Sequence, residues 1–181
     1  KIVQQAVRWV LEPIYEAEFV GFSYGFRPER SAHDALDALS TSLLRRVNWV
    51  LDADIRAFFD TIAHGWMQKF IEHRIGDRRL VRLLMKWMKA GVMKDGDLHE
   101  VTAGTPQGGI IRPLLANVYL HYVLDLWVQS WRQKQARGDV YVVRYADDFV
   151  MGFQLEEDAR AMRLALAERM AKFALELHPD K

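Results

Sequence analysis

Two acids sit side by side in the largely apolar stretch VVRYADDFVMGF, Val142 to Phe153. At a separation of about 4 Å and an effective dielectric of about 20, ionised Asp147 and Asp148 would repel by roughly 4 kcal/mol. Aspartate is a common turn residue, and that is the plain reading of such a pair. Three features count against it. The flanks are apolar and β-prone, so the turn should lie near the core. A second strand-like stretch, WVLDADI, also sets acids, Asp52 and Asp54, among apolar residues. The loop between the two stretches has the glycines that close backbone approach requires. Acids from two strands gathered at one sheet edge make a hard-oxygen site suited to Mg²⁺. Two such ions about 3.5–4 Å apart would serve an in-line phosphoryl displacement. One would lower the pKa of an attacking 3′-hydroxyl and the other would carry a leaving pyrophosphate. Without metal, one of Asp147 and Asp148 should titrate above the usual carboxylate range. Asp52 and Asp54 share a strand face, so spacing alone does not choose between them. Asp60, in FFD, competes as well, with a structural role such as capping as its reading.

The elements that must position these acids follow from periodicity. Apolar residues between Ile2 and Tyr15 recur at helical spacing, with Pro13 marking an end or kink. GFSYGFRPER, Gly21 to Arg30, reads as a loop. Ser31 opens SAHD, a capping-box-like start to a helix through about Leu44. A strand begins at Asn48, with Val50, Asp52 and Asp54 on one face and Leu51, Ala53 and Ile55 on the other. Helices follow over Gly65 to Arg74 and Asp77 to Ala90. The second carries Arg78, Arg79, Arg82, Lys86 and Lys89, read as a solvated face. Asp95-Gly96 between strand-like ends signals a hairpin. TAGTPQGGIIRP is a loop leading into a long helix, about Gly109 to Gln135, with Pro113 in its first turn. DVYVVRYADDFVMGF reads as two strands and a tight turn, and Glu156 to Leu175 as a last helix. Helices and strands intermix with hairpins, which favours an α+β fold over a doubly wound parallel sheet.

Composition sets the outer bounds. The chain has 181 residues, half of them hydrophobic and 27% charged, which suits one globular domain with a real core. The net charge of +1 gives no bulk argument for nucleic acid, so any such argument must be local. With no cysteine, disulfides and thiolate metal sites are excluded, in keeping with an intracellular setting. The longest apolar run, Pro113 to Val128, is too short and too mixed to span a membrane, and the start carries no signal-peptide pattern. Lys1 opens inside a helical pattern and Lys181 stops straight after LHPD, so a fragment of a larger protein is expected.

These residues resemble a known family. YADD, Tyr145 to Asp148, is similar to the catalytic box of reverse transcriptases, and DADIRAFFDTIAH resembles the box that supplies their other metal-binding acid. TPQGGIIRPLLANVYL and SYGFRPERSAHDAL resemble boxes of the group II intron branch of bacterial retroelements. LELHPDK looks like the start of a later box ending in lysine. YADD alone is weak, but five boxes in order over nearly the whole chain are highly specific.

The resemblance implies a reverse-transcriptase palm, an antiparallel sheet backed by helices, with part of the fingers. Residues of about 1–46 and 64–104 would be the fingers-side segments and 47–63 and 105–181 the palm, with the thumb absent. It implies Asp54, Asp147 and Asp148 as catalytic metal ligands for two Mg²⁺, with Mn²⁺ as a substitute. Phe59 falls at the sugar gate, where a rigid ring leaves no room for a 2′-hydroxyl; a core phenylalanine is the alternative. Arg27, Arg30, Gln107 and Lys181 are expected at the nucleotide, the arginines through forked phosphate contacts or else as surface ion pairs. Gly108, Gly109, Arg112 and Tyr145 are expected along template and primer. Arg112 departs from the branch, which usually has serine there. The implied partners are an RNA template with a DNA or RNA primer, deoxynucleoside triphosphates and intron RNA, in a bacterial-type cytoplasm with no membrane. Rival readings are another palm-type polymerase that makes RNA, an RNA-binding maturase module with an unused polymerase site, and a CRISPR-associated reverse transcriptase.

Overall fold

The period-two pattern of 140–153 becomes an antiparallel hairpin, β4 (Val140–Tyr145) and β5 (Asp148–Phe153), joined through Ala146 and Asp147. The computed structural model describes residues 1–90, 92–94, 97–99 and 109–178, with the backbone alone for 92–94 and 97–99. Gln107, Gly108, Lys181 and the expected turn at Asp95-Gly96 lie outside the described residues.

Strand β1 (Trp49–Ala53) adds to β5, giving the order β1-β5-β4, antiparallel throughout. Phe149, Met151 and Phe153 of β5 point into the core and are essentially inaccessible. Val150 and Gly152 take the other face, which helix α2 (Ala32–Leu43) and Val47 cover. A Cβ on Gly152 would meet both Val47 methyls at 2.9 Å, so the small residue there lets the chain close over the sheet. Helix α2 starts as its sequence implies: the Ser31 hydroxyl accepts from the Asp34 amide while the Asp34 side chain accepts from the Ser31 amide.

Helix α1 (Ile2–Glu16) runs past Pro13 instead of ending there. The carbonyl that Pro13 leaves unpaired belongs to Trp9, which is 67% exposed, so water can satisfy it. A short α3 (Phe58–Thr61) follows β1, then α4 (His64–Arg74) and α5 (Arg78–Lys89). Strands β2 (Val92–Lys94) and β3 (Asp97–His99) pair as an antiparallel hairpin.

The long helix expected after the glycine-rich loop is not uniform. It comprises α6 (Arg112–Leu120), a π-helical segment His121–Asp125 and α7 (Leu126–Lys134). Every residue from Leu114 to Leu120 is buried, which makes α6 the centre of the core. Helix α8 (Glu156–Lys172) closes the sheet's inner face through Met162, Leu166 and Met170. The segment after α8 then returns beside β1, where Ile55 bridges Leu177. No described helix is long and apolar enough to cross a membrane.

Candidate active site

The end of the sheet is built by register. Ala53 pairs with Phe149, so the antiparallel ladder sets the following Asp54 beside Asp148. Tyr145 pairs with Asp148 across the hairpin, which places Asp147 in the turn at the same end. Ala53 and Ile55 are buried and Asp52 is exposed, so the alternation continues past the strand with Asp54 on the open face. Asp54 is half-buried, and its carbonyl accepts from the His178 amide at 2.8 Å. Asp52 is two residues further from the turn than Asp54, opposite Val150. The ladder therefore distinguishes two acids that spacing left equivalent.

The Asp147 carboxyl titrates above its usual range. Burial is the first cause, and the charges of Asp148 and Asp54 add to it, against the lowering influence of a backbone hydrogen bond and, more weakly, of Arg144. The expected direction holds, but desolvation outweighs mutual repulsion.

Among the described residues, no three acid or imidazole side chains stand close enough to share one ion. The donor set still fits Mg²⁺, which commonly uses one or two carboxylates and completes its shell with water and substrate phosphate. A cation bound there would offset the repulsion that Asp148 and Asp54 add to the burial of Asp147.

What holds the turn was not anticipated. Arg144, fully buried, donates from Nε and Nη2 to the two oxygens of Asp125 at 2.7 and 2.6 Å. Its Nη2 also reaches Ser23 Oγ at 2.7 Å, and Nη1 reaches Asn117 Oδ1 at 3.2 Å and the Ala146 carbonyl at 2.7 Å. The guanidinium thus ties the π-helical segment, α6 and the 21–25 loop to the residue before Asp147. Ala146 has φ 59°, a left-handed conformation costing roughly 1–2 kcal/mol in a residue with a Cβ. The same loop adds backbone bonds, Tyr24 N to Arg144 O and Arg144 N to Phe22 O, both 2.9 Å. Gly25 is obligatory there, since a Cβ would lie 2.3 Å from the Ala146 nitrogen. Lone charges inside apolar runs, Arg144 in YVVRY and Asp125 in YVLDLW, were the available signal: a buried charge must find a partner.

Other expected residues fall into distinct places. Phe59 is half-buried on α3, beside the buried Phe58, with ring centres 5.3 Å apart. The Arg112 guanidinium lies 4.3 Å from the Phe59 ring centre and 3.9 Å from Asp60. Among the described residues Asp60 makes no capping bond; Ala57 is the N-cap of α3, and the structural role of Asp60 is to face Arg112. The Nε of Arg112 is buried with no hydrogen-bond partner among the described residues. Gly109 accepts from the Arg112 amide, and the Ile110 amide donates to Gln4 Oε1 at 3.0 Å, so that helix-start amide is already engaged. Tyr145 is exposed and leans toward Phe26, with ring centres 6.4 Å apart.

Arg27 is placed differently from its expectation as a phosphate clamp. Its side chain is 4% exposed; Nε and Nη2 hold Glu16, and Nη1 holds the carbonyls of Val20 and Ser23. Its fork ties the loop to the end of α1. Arg30 is half-exposed and commits only Nη1, to the carbonyls of Gly21 and Ser23.

The model of the family described as reverse transcriptase (RNA-dependent DNA polymerase) matches residues 1–181. The chain belongs to this family. Its relatives include Protein YkfC of Escherichia coli K12, 37% identical over 183 residues, covering 83% of this chain and 47% of that protein. The group II intron-encoded protein LtrA of Lactococcus lactis subsp. cremoris is 40% identical over 141 residues, 76% of this chain and 23% of LtrA. This reverse-transcriptase chain thus spans about half or less of the curated relatives' length. Its fold also matches telomerase from Candida albicans, with a TM-score of 0.74, 16% identity and coverage of 99% of this chain and 34% of that one. The α+β palm with part of the fingers is the family's fold.

Proposed function

We propose that this chain is the palm, with part of the fingers, of a group II intron-type reverse transcriptase that extends a DNA or RNA primer along an RNA template. Residues 47–63 and 105–181 would form the palm side, and about 1–46 and 64–104 the fingers side. The observation that carries the reading is the convergence of Asp54, Asp147 and Asp148 at one sheet end, with the turn locked by Arg144. These carboxylates would hold two Mg²⁺, or Mn²⁺ in substitution, and the bound metal would lower the pKa of the primer 3′-hydroxyl and neutralise pyrophosphate as it leaves. The chain's own part is positioning. Asp147 and Asp148 sit on a turn that cannot sag, because Ala146 is tied into the core. Phe59 presents a ring stiffened by Arg112, which would exclude a ribose 2′-hydroxyl and select deoxynucleoside triphosphates. Arg30, with donors to spare, is the arginine of the loop that can reach a phosphate. Gln107 and Lys181 complete the nucleotide side, and Gly108, Gly109, Arg112 and Tyr145 line template and primer. Intron RNA is the proposed additional partner, in a bacterial-type cytoplasm.

Primer extension on an RNA template tests this, using the full-length parent protein. Wild type extends with deoxynucleotides, and Asp147→Asn does not. Equal extension by the two would overturn the metal assignment.

A further inference from the structure

Helix α5 carries Arg78, Arg79, Arg82, Lys86 and Lys89, all exposed. At 3.6 residues per turn the five fall within an arc of about 100° and run about 16 Å along the axis. The opposite side of α5 buries Val81, Leu84, Met85 and Met88. Asp77 caps the helix, accepting from the amides of Arg79 and Leu80. The stripe is therefore mounted on a fixed element. Among the described residues none of the five makes an ion pair. Elsewhere on the surface arginines do find acids, as with Arg137 and Glu157 or Arg160 and Glu156. Beside the stripe an open cleft of about 580 Å³ lies between α4 and α5, lined by Arg78, Arg82, Val81 and Met85 of α5 and by Gln68 and one acid, Glu72, of α4.

We propose that this face of α5 docks the phosphate backbone of folded, double-helical RNA, outside the path of template and primer. The charge argues for a polyanion: five exposed cations on one helix face, none of them in an ion pair among the described residues, match a ligand whose phosphates repeat every few ångströms. A duplex is the form in which those phosphates are held at fixed spacing, and double-stranded RNA is recognised mainly through its shape, phosphates and 2′-hydroxyls. The stripe belongs to a helix that supplies none of Asp54, Asp147 and Asp148, which lie past the end of β1 and at the β4–β5 turn. The inference rests on RNA as the ligand class and makes no use of the carboxylate site.

The test measures binding of a labelled RNA hairpin to the full-length protein over a salt series. The triple variant Arg79→Gln, Arg82→Gln, Lys86→Gln is compared with a control triple on and beside α8, Arg137→Gln, Arg160→Gln, Arg163→Gln. Each lost phosphate contact lowers the slope of log affinity against log salt by about 1, so the α5 triple should lose about 2–3. Its affinity should fall about tenfold or more, the control triple should bind as wild type does, and extension on an unstructured template should be unchanged in both. An unaltered slope in the α5 triple overturns the proposal. Equal loss in the control triple reduces the effect to net charge and also overturns it. Loss of extension on the unstructured template would instead assign α5 to the template grip.

Discussion

Asp147 carries a charge that its surroundings disfavour, through burial first and then through Asp148 and Asp54. Replacing it with asparagine removes that penalty along with a ligand, so stability and activity should move in opposite directions. In metal-free buffer at neutral pH, Asp147→Asn should raise Tm. Primer extension should fall at least about 100-fold, because several kcal/mol of charge stabilisation are lost. A variant that loses activity and stability together would point to a structural role instead. Arg112 is the second residue with a clear expectation. Its guanidinium over Phe59 is worth about 0.5–2 kcal/mol. Arg112→Ser should lower Tm by a few degrees and raise the use of ribonucleotides relative to deoxynucleotides. Arg112→Lys should recover only part of this, because an ammonium has no plane to lay against the ring.

The hairpin and the π-helical segment work as one unit joined by Arg144 and Asp125, both fully buried. Breaking such a pair leaves a charge without a partner at a cost of about 3–5 kcal/mol. Asp125→Asn should therefore lower the chemical-denaturation midpoint sharply and loosen the YADD turn. Hydrogen exchange at the amides of Tyr24 and Arg144 would register that loosening, since both amides are bonded across the loop and strand. The same element predicts a pH dependence. Burial holds the His121 imidazole below its usual 6.5, outweighing the upward pull of Asp125 and Glu18, with Arg144 and Arg27 also lowering it. The unfolded chain takes up a proton below 6.5 that the native chain refuses. Stability should be full above 6.5 and decline as pH falls through 6.5 toward the folded value. His121→Phe should flatten that part of the profile while keeping the edge contact with Phe19.

Over the whole molecule, a cation that binds the native state alone must stabilise it, by about 2.7 kcal/mol at a hundredfold excess over Kd. Adding Mg²⁺ to the full-length protein should raise Tm, and Asp54→Asn should abolish that rise, with no catalysis needed for the readout. A rise that survives in Asp54→Asn would place the ion elsewhere.

Local pattern was enough for the elements. Alternation marks β4 and β5, Ser31 and Asp34 mark the start of α2, and the spacing of Val81, Leu84 and Met88 marks α5, because each signal depends only on neighbours in the chain. The acids were visible too, as charges set in apolar strands. What local pattern could not supply was pairing across the chain. The ladder between β1 and β5 puts Asp54, not Asp52, beside Asp148. The five donors of Arg144 find partners up to 121 residues away. Arg27 turned inward to Glu16, and Asp60 met Arg112 instead of capping a helix. In each case one side chain had several chemically acceptable partners. Only the closing of the core, which desolvates some of these groups and leaves others in water, decided which partner each would have.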